Sequence, residues 1–304
     1  MSAGPNPTGD ADRNGNQGRS GVVRGRPAGQ QSAKRGEDGE RSAGRGGRPQ
    51  SSRREDSRAQ IGGRPPTQRT GDTSPDRDPA RPEIPADVDG SELDRDVRQE
   101  LLTLPKGLAE LVGSHLVMAA RLLDEDPQLA LAHARFARTK AGRVAAVREV
   151  AGLSAYHAGE WSEALAELRA ARRLGGDTGR LAVLADCERA LGRPERALEI
   201  ARSPEARQLG TEESVELRIV AAGARRDLGQ FDAAVVALQG PDLETAGDEP
   251  WRARLRYAYA DNLLAAGREQ DAIRWFLAAA EVDIDEATDA AERAVELSER
   301  PAPE

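Results

Sequence analysis

Few residues in this chain are of a type and spacing that could do chemistry. The three histidines, His115, His133 and His157, stand 18 and 24 residues apart. That is far from the one-turn spacing with which a helix offers two imidazoles to zinc, so each reads as a helix-surface or partly buried residue. The single cysteine, Cys187, excludes an internal disulfide and a cysteine-based zinc site, and fits a reducing compartment. With no histidine close in sequence to take its proton, it reads as a small packing residue and not as a nucleophile. Asp283, Asp285, Glu286 and Asp289 form an acidic cluster, but a calcium loop needs a central glycine and none is present, so a solvated helix start is expected. No phosphate-binding glycine loop, dinucleotide fingerprint or serine-nucleophile motif occurs. The expectation is therefore no catalytic residue, no metal and no cofactor, and a protein that is not an enzyme.

Charge is distributed unevenly. Residues 1–82 hold 16 Arg or Lys against 10 Asp or Glu, whereas residues 83–304 hold 28 against 42. The first segment is rich in Gly, Arg, Ser and Pro, lacks aromatics and shows no apolar periodicity, which predicts a disordered tail. Arg24-Gly25-Arg26 and Gly44-Arg45-Gly46-Gly47-Arg48 are similar to arginine-glycine segments that bind RNA through phosphate contacts and arginine stacking. The interspersed acids and the missing aromatics argue for the alternative, a solubilising or spacer tail. No apolar run resembles a signal peptide or a membrane span, so a cytoplasmic protein with no membrane partner is expected.

The remaining chemistry is that of helix packing. Val147, Val150, Ala151, Ala155 and Tyr156 recur at helical spacing, and after Gly159 so do Trp161, Ala164, Leu165, Leu168, Ala171 and Leu174. This predicts two amphipathic helices joined at Gly159, a residue free to adopt the left-handed conformation. Gly152, Ala155 and Ala164 leave room for close backbone approach, and Trp161 is expected to be buried, so that its truncation costs roughly 3–5 kcal/mol. Turn glycines recur at Gly192, Gly229 and Gly267, spaced by 33, 37 and 38 residues, and each of the four has alanine five residues on: Ala164, Ala197, Ala234 and Ala272.

With Gly152, Tyr156, Gly159, Trp161, Ala164, Leu168 and Ala171 near or at its signature places, the chain resembles the tetratricopeptide-repeat family, whose period is about 34 residues. In particular it resembles uncharacterised repeat proteins of high-GC, actinobacterial bacteria; of its 44 basic residues only Lys34, Lys106 and Lys140 are lysines. A degenerate copy fits Leu116–Ala137, with Ala130, Ala134 and Ala137 in register and Asp126-Pro127 at the turn. The pattern departs from the family where Gly175-Gly176 replaces the closing proline. Pro204 and Gly240-Pro241 shorten the second helices of the third and fourth copies, and Pro194 suits a first helical turn. The resemblance implies an all-α, right-handed solenoid of antiparallel helix pairs over residues 83–304, with a repeat core of about 110–283 and helical caps at 91–115 and 284–299. Ser91 with Asp94, then Val97, Leu101, Leu102 and a break at Pro105, mark the first cap, and Asp285–Leu297 the second.

The resemblance also implies a concave groove lined by first helices, in which a peptide docks. By register the groove carries Glu149, Leu153, Tyr156 and His157, then Asp186 and Arg189, then Glu216 and Arg226, then Arg254, Tyr257 and Asp261. The family's co-chaperone members grip a terminal carboxylate with lysines and asparagines; here only Lys106, Lys140 and Asn262 are present in the body, so that activity is not expected. The implied function is a non-catalytic protein-interaction scaffold or adaptor, with the alternative of an RNA-associated adaptor acting through the tail. On this reading Arg189→Glu with Arg226→Glu abolishes partner capture and leaves the melting temperature nearly unchanged.

Overall fold

The computed structural model describes residues 81–175, 180–245, 247 and 249–300. The arginine-glycine tail over residues 1–80, and Gly176, lie outside the described residues. Every regular element among the described residues is helical, as the 3.6-residue periodicity requires.

The first cap differs in detail from the expectation. A 3-10 turn, Gly90–Glu92, precedes α1 (Arg95–Leu101) and α2 (Lys106–Arg121). Asp89, not Ser91, caps that turn: its carboxylate accepts from the Ser91 N–H at 2.7 Å. Pro105 breaks the chain immediately before α2, and α2 continues beyond residue 115 because its buried face runs on through Leu116, Val117 and Ala119. Asp126 then caps α3 (Pro127–Ala141), accepting from the Leu129 N–H at 3.0 Å, with Pro127 in the first turn where a missing N–H costs nothing.

The best-matching copy is α4 (Ala145–His157) followed by α5 (Trp161–Arg173). A Cβ built on Gly152 would stand 2.6 Å from Leu168 Cγ and 3.1 Å from the Leu168 N, so only glycine lets α4 and α5 approach this closely. Trp161, expected to be buried, is half-buried instead: it opens α5 at the pair's edge and leans edge-on against Tyr156, ring centroids 5.3 Å apart. Its truncation accordingly costs less than full burial would imply.

There follow α6 (Leu181–Ala190), α7 (Pro194–Ala201), α8 (Thr211–Asp227), α9 (Phe231–Leu238), α10 (Pro241–Glu244), α11 (Pro250–Ala265) and α12 (Glu269–Ala280). The prolines act as expected. Pro194 opens α7, and α7 and α9 are eight residues each. The chain re-forms after them as a 3-10 turn, Glu205–Gln208, next to Pro204 and as α10 at Pro241. The last helix, α13 (Ala290–Ser298), begins five residues later than the sequence pattern indicates. Asp283 is the cause: its carboxylate accepts from the backbone N–H of Ala287 at 2.9 Å and of Thr288 at 2.8 Å, and from the Thr288 hydroxyl at 2.6 Å. These bonds hold a turn ahead of the helix, with Glu286 at φ 50°.

The four turn glycines have one geometry. Gly159, Gly192, Gly229 and Gly267 take φ of 77°, 72°, 72° and 76°. In each turn the residue after the glycine donates its N–H five residues back: Glu160 to Ala155 (2.8 Å), Arg193 to Glu188, Gln230 to Arg225 and Arg268 to Leu263 (each 2.9 Å). This is the Schellman closure, which satisfies carbonyls that the helix end would otherwise strand. The alanines five residues on are all fully buried, because nothing larger fits where the returning helix meets the first.

Packing runs from neighbour to neighbour along the described residues: α2 on α3, α4 on α5, α6 on α7, α8 on α9 and α11 on α12, with α6 also touching α8 and α8 touching α11. Val112, Leu116 and Val147 centre one core cluster, Leu131, Leu168, Leu184 and Leu217 another, and Leu238, Leu255, Leu263 and Phe276 a third. Small residues set the helix spacing and leucines fill it.

Candidate functional site

The residues assigned by register to the groove lie on α4, α6, α8 and α11, and the structure joins most of them to one another. On α4, Glu149 accepts from Arg180 Nε at 2.8 Å, and the Tyr156 hydroxyl donates to Asp186 Oδ2 at 2.6 Å. Asp186 also accepts from Arg189 on its own helix at 2.8 Å, and Arg189 reaches across to Asp227 on α8 at 2.7 Å. Arg226 on α8 pairs with Asp261 on α11, which accepts as well from Arg293 of α13 at 3.3 Å. Arg254 on α11 returns to Glu216 on α8 at 2.7 Å. Arg293 also donates to the Tyr257 hydroxyl at 3.4 Å.

The result is a ladder of ion pairs and hydrogen bonds that crosses from each first helix to the next. Most of its members are well below half exposed: Asp186 keeps 14% of its side chain in solvent, Arg189 23%, Arg254 18% and Arg293 17%. At that depth charges attract more strongly than at an open surface, and leaving one unpaired is expensive. Burial and the neighbouring Asp186 carboxylate push the Tyr156 phenol well above its ordinary range. Burial also raises Tyr257. Both hydroxyls therefore remain neutral hydrogen-bonding groups. Burial raises the Glu216 carboxyl against the opposing pull of Arg254. Leu153 is half-buried on α4. His157 sits 3.6 Å from Asp124 and is lowered by burial, with Asp124 pulling the other way.

The ladder overturns the expectation that reversing Arg189 and Arg226 leaves stability nearly untouched: each already holds a carboxylate of the next first helix. It also adds members that the register did not single out, namely Arg180, Asp227 and Arg293. Gly223 belongs with them, since a Cβ there would stand 2.8 Å from Arg189 Cζ; the bare α8 backbone is what admits the guanidinium. The spacing of opposite charges from one copy to the next, such as Arg189 to Asp227 and Arg226 to Asp261, was the available signal.

The chemistry-bearing residues behave variously. His115 and His133, expected at the surface or partly buried, are fully buried between α2 and α3, their Nδ1 atoms 2.9 Å apart. Neither Nε2 has a hydrogen-bond partner. His115 is lowered to about 4, first by burial and then by the nearby His133 and Arg81; His133 is lowered by burial. The His115 ring also packs against that of Phe136, their centroids 4.3 Å apart. Cys187 is buried, and burial followed by the charges of Asp186 and Glu188 pushes its thiol up to about 12, opposite to the shift an activated thiol needs. Among the described residues no group of three or more His, Cys, Asp or Glu is placed to hold a metal ion, and no helix is long and apolar enough to cross a membrane.

A scan against protein-family models finds no match for this chain, and neither does a comparison with curated proteins.

Proposed function

We propose that the chain is a non-catalytic interaction scaffold, its helix pairs stacked as a right-handed, tetratricopeptide-like solenoid that holds a protein or peptide partner along the first helices. The observation that carries this reading is the fourfold recurrence of one turn, a left-handed glycine closing a first helix and a fully buried alanine opening the packing of the second. A chain built from such units stacks each on its neighbours and so exposes one long face made of equivalent helices. The ion-pair ladder fits the same reading as the device that fixes the register of those helices. Because its charges are satisfied internally, the partner is held chiefly by shape and by half-buried apolar and aromatic groups such as Leu153, Tyr156 and Tyr257. The protein works in the cytoplasm on this proposal.

Affinity capture from native lysate with the full chain, with and without nuclease, followed by hydrogen-exchange footprinting of the retained complex, tests it. Nuclease-resistant capture with protection on α4, α6, α8 and α11 is the expected result; protection confined to other helices removes the groove. The alternative, an RNA-associated adaptor acting through the arginine-glycine tail, draws on the excess of basic residues in 1–82, and capture abolished by nuclease would select it.

A further inference from the structure

On the side of α8 turned away from the ladder, α7, the 3-10 turn at Glu205–Gln208, α8 and α9 line a half-open cleft of about 250 Å³. Its floor is apolar, made by Leu198, Ala201, Leu217, Ala221 and Ala237, and its polar lining is Ser214 with Arg202, Arg218 and Arg225. Among the described residues no carboxylate lines it. Elsewhere on this body partly buried arginines meet acids directly, as Arg148 meets Glu167 at 2.6 Å and Arg254 meets Glu216. Here Arg218 donates one nitrogen to Asp242 at 2.8 Å while its Nε, buried, has no hydrogen-bond partner. The guanidinium groups of Arg202 and Arg225 pair with no carboxylate among the described residues. Arg225, partly buried beside the apolar floor, and Arg202 at its exposed rim thus present two guanidinium groups that no protein carboxylate engages, and a ligand carboxylate can take that place.

The geometry points to a binding site for a small amphiphilic carboxylate, its head held by Arg202 and Arg225 and its hydrocarbon body on the leucine-alanine floor. At about 30 Å³ for a water-sized group, the cleft accommodates roughly eight non-hydrogen atoms, the size of a six-carbon fatty acid, and its open side leaves room for a chain about two carbons longer. Arginine suits the head group because its planar fork meets a carboxylate through two parallel hydrogen bonds. The site stands apart from the proposed groove and does not depend on it.

Calorimetric titration of the full chain with sodium octanoate tests the site, with octan-1-ol as an uncharged probe and inorganic phosphate as a charge without a tail. One saturable octanoate site is expected, weakened at least about tenfold by Arg202→Gln with Arg225→Gln. Ala237→Leu, which fills the floor and keeps every arginine, should weaken it as strongly, and thermal melts of both variants report that the fold is retained. Octanol and phosphate should each bind at least tenfold more weakly than octanoate. No saturable octanoate binding, octanoate binding unchanged by both variants, or phosphate bound as well as octanoate would each overturn the assignment.

Discussion

Helix α8 carries arginines on two opposite sides, and the sides differ in how fully those arginines are paired. At about 100° per residue, Glu216, Gly223, Arg226 and Asp227 share one face, and Ser214, Arg218, Ala221 and Arg225 share the other. On the first face, Arg226 is paired with Asp261, and Asp227 holds Arg189 from α6. On the second, Arg218 reaches Asp242 at 2.8 Å, whereas Arg225 lines the cleft and pairs with no acid among the described residues. The same residue type therefore serves as a structural tie where a neighbouring element supplies a carboxylate, and as a free cation where, as around Arg225, the facing wall supplies none. What distinguishes the two is the partner across the interface.

The strongest way to break this comparison is Asp186→Ala. It strands the Tyr156 hydroxyl and one arm of Arg189 at partial burial, and should destabilise the chain by about 3 kcal/mol in urea unfolding. A loss below about 0.5 kcal/mol would mean that the ladder is surface decoration. Gly152→Ala comes next. It drives a methyl into Leu168 from the backbone side and should cost about 2 kcal/mol by the same assay, since overpacking offers no easy relaxation; an unchanged midpoint would show that the two helices can separate freely.

A pH series then sharpens the comparison by isolating a contribution that belongs to neither face. His115 and His133 are held neutral by burial, with folded values below the ordinary 6.5 and His115 near 4. Groups depressed in the folded state contribute stability that is complete above pH 6.5 and is lost as pH falls through the folded value. Arg81, beside His115, adds to the penalty for protonation. Melting temperature should thus fall between pH 6.5 and 4, and replacing both histidines with leucine should flatten that limb; an equally steep fall in the double variant would put the acid sensitivity elsewhere. The smallest effect should come from Arg202→Gln with Arg225→Gln, within about 0.5 kcal/mol of the parent. A marked loss of stability would place these arginines among the structural ties after all.

Much of this architecture was legible in the residues. Gly159, Gly192, Gly229 and Gly267 announced their turns because a positive φ is close to a glycine signature, and Pro194, Pro204 and Pro241 marked helix starts and breaks because proline's effect is local. Trp161 was misjudged because apolar periodicity locates a face and says nothing about how far the neighbouring pair covers its end. The start of α13 was misplaced because Asp283 competes for backbone N–H groups through its side chain, a contest that periodicity does not register. His115 and His133 looked unrelated at 18 residues apart, yet α2 and α3 bring their rings into contact.

The candidate site was legible to a lesser degree. Register indicated which residues share the first helices, but not that Tyr156, Asp186, Arg189, Arg226 and Asp261 would be occupied with one another. The sequence by itself determined the helices, their turns and the small residues at their crossings, since each depends on conformational preferences within a few neighbouring positions. The tertiary structure alone decided which charges are spent and which are free, because a salt bridge depends on what lies across an interface, 38 residues away in the case of Arg189 and Asp227.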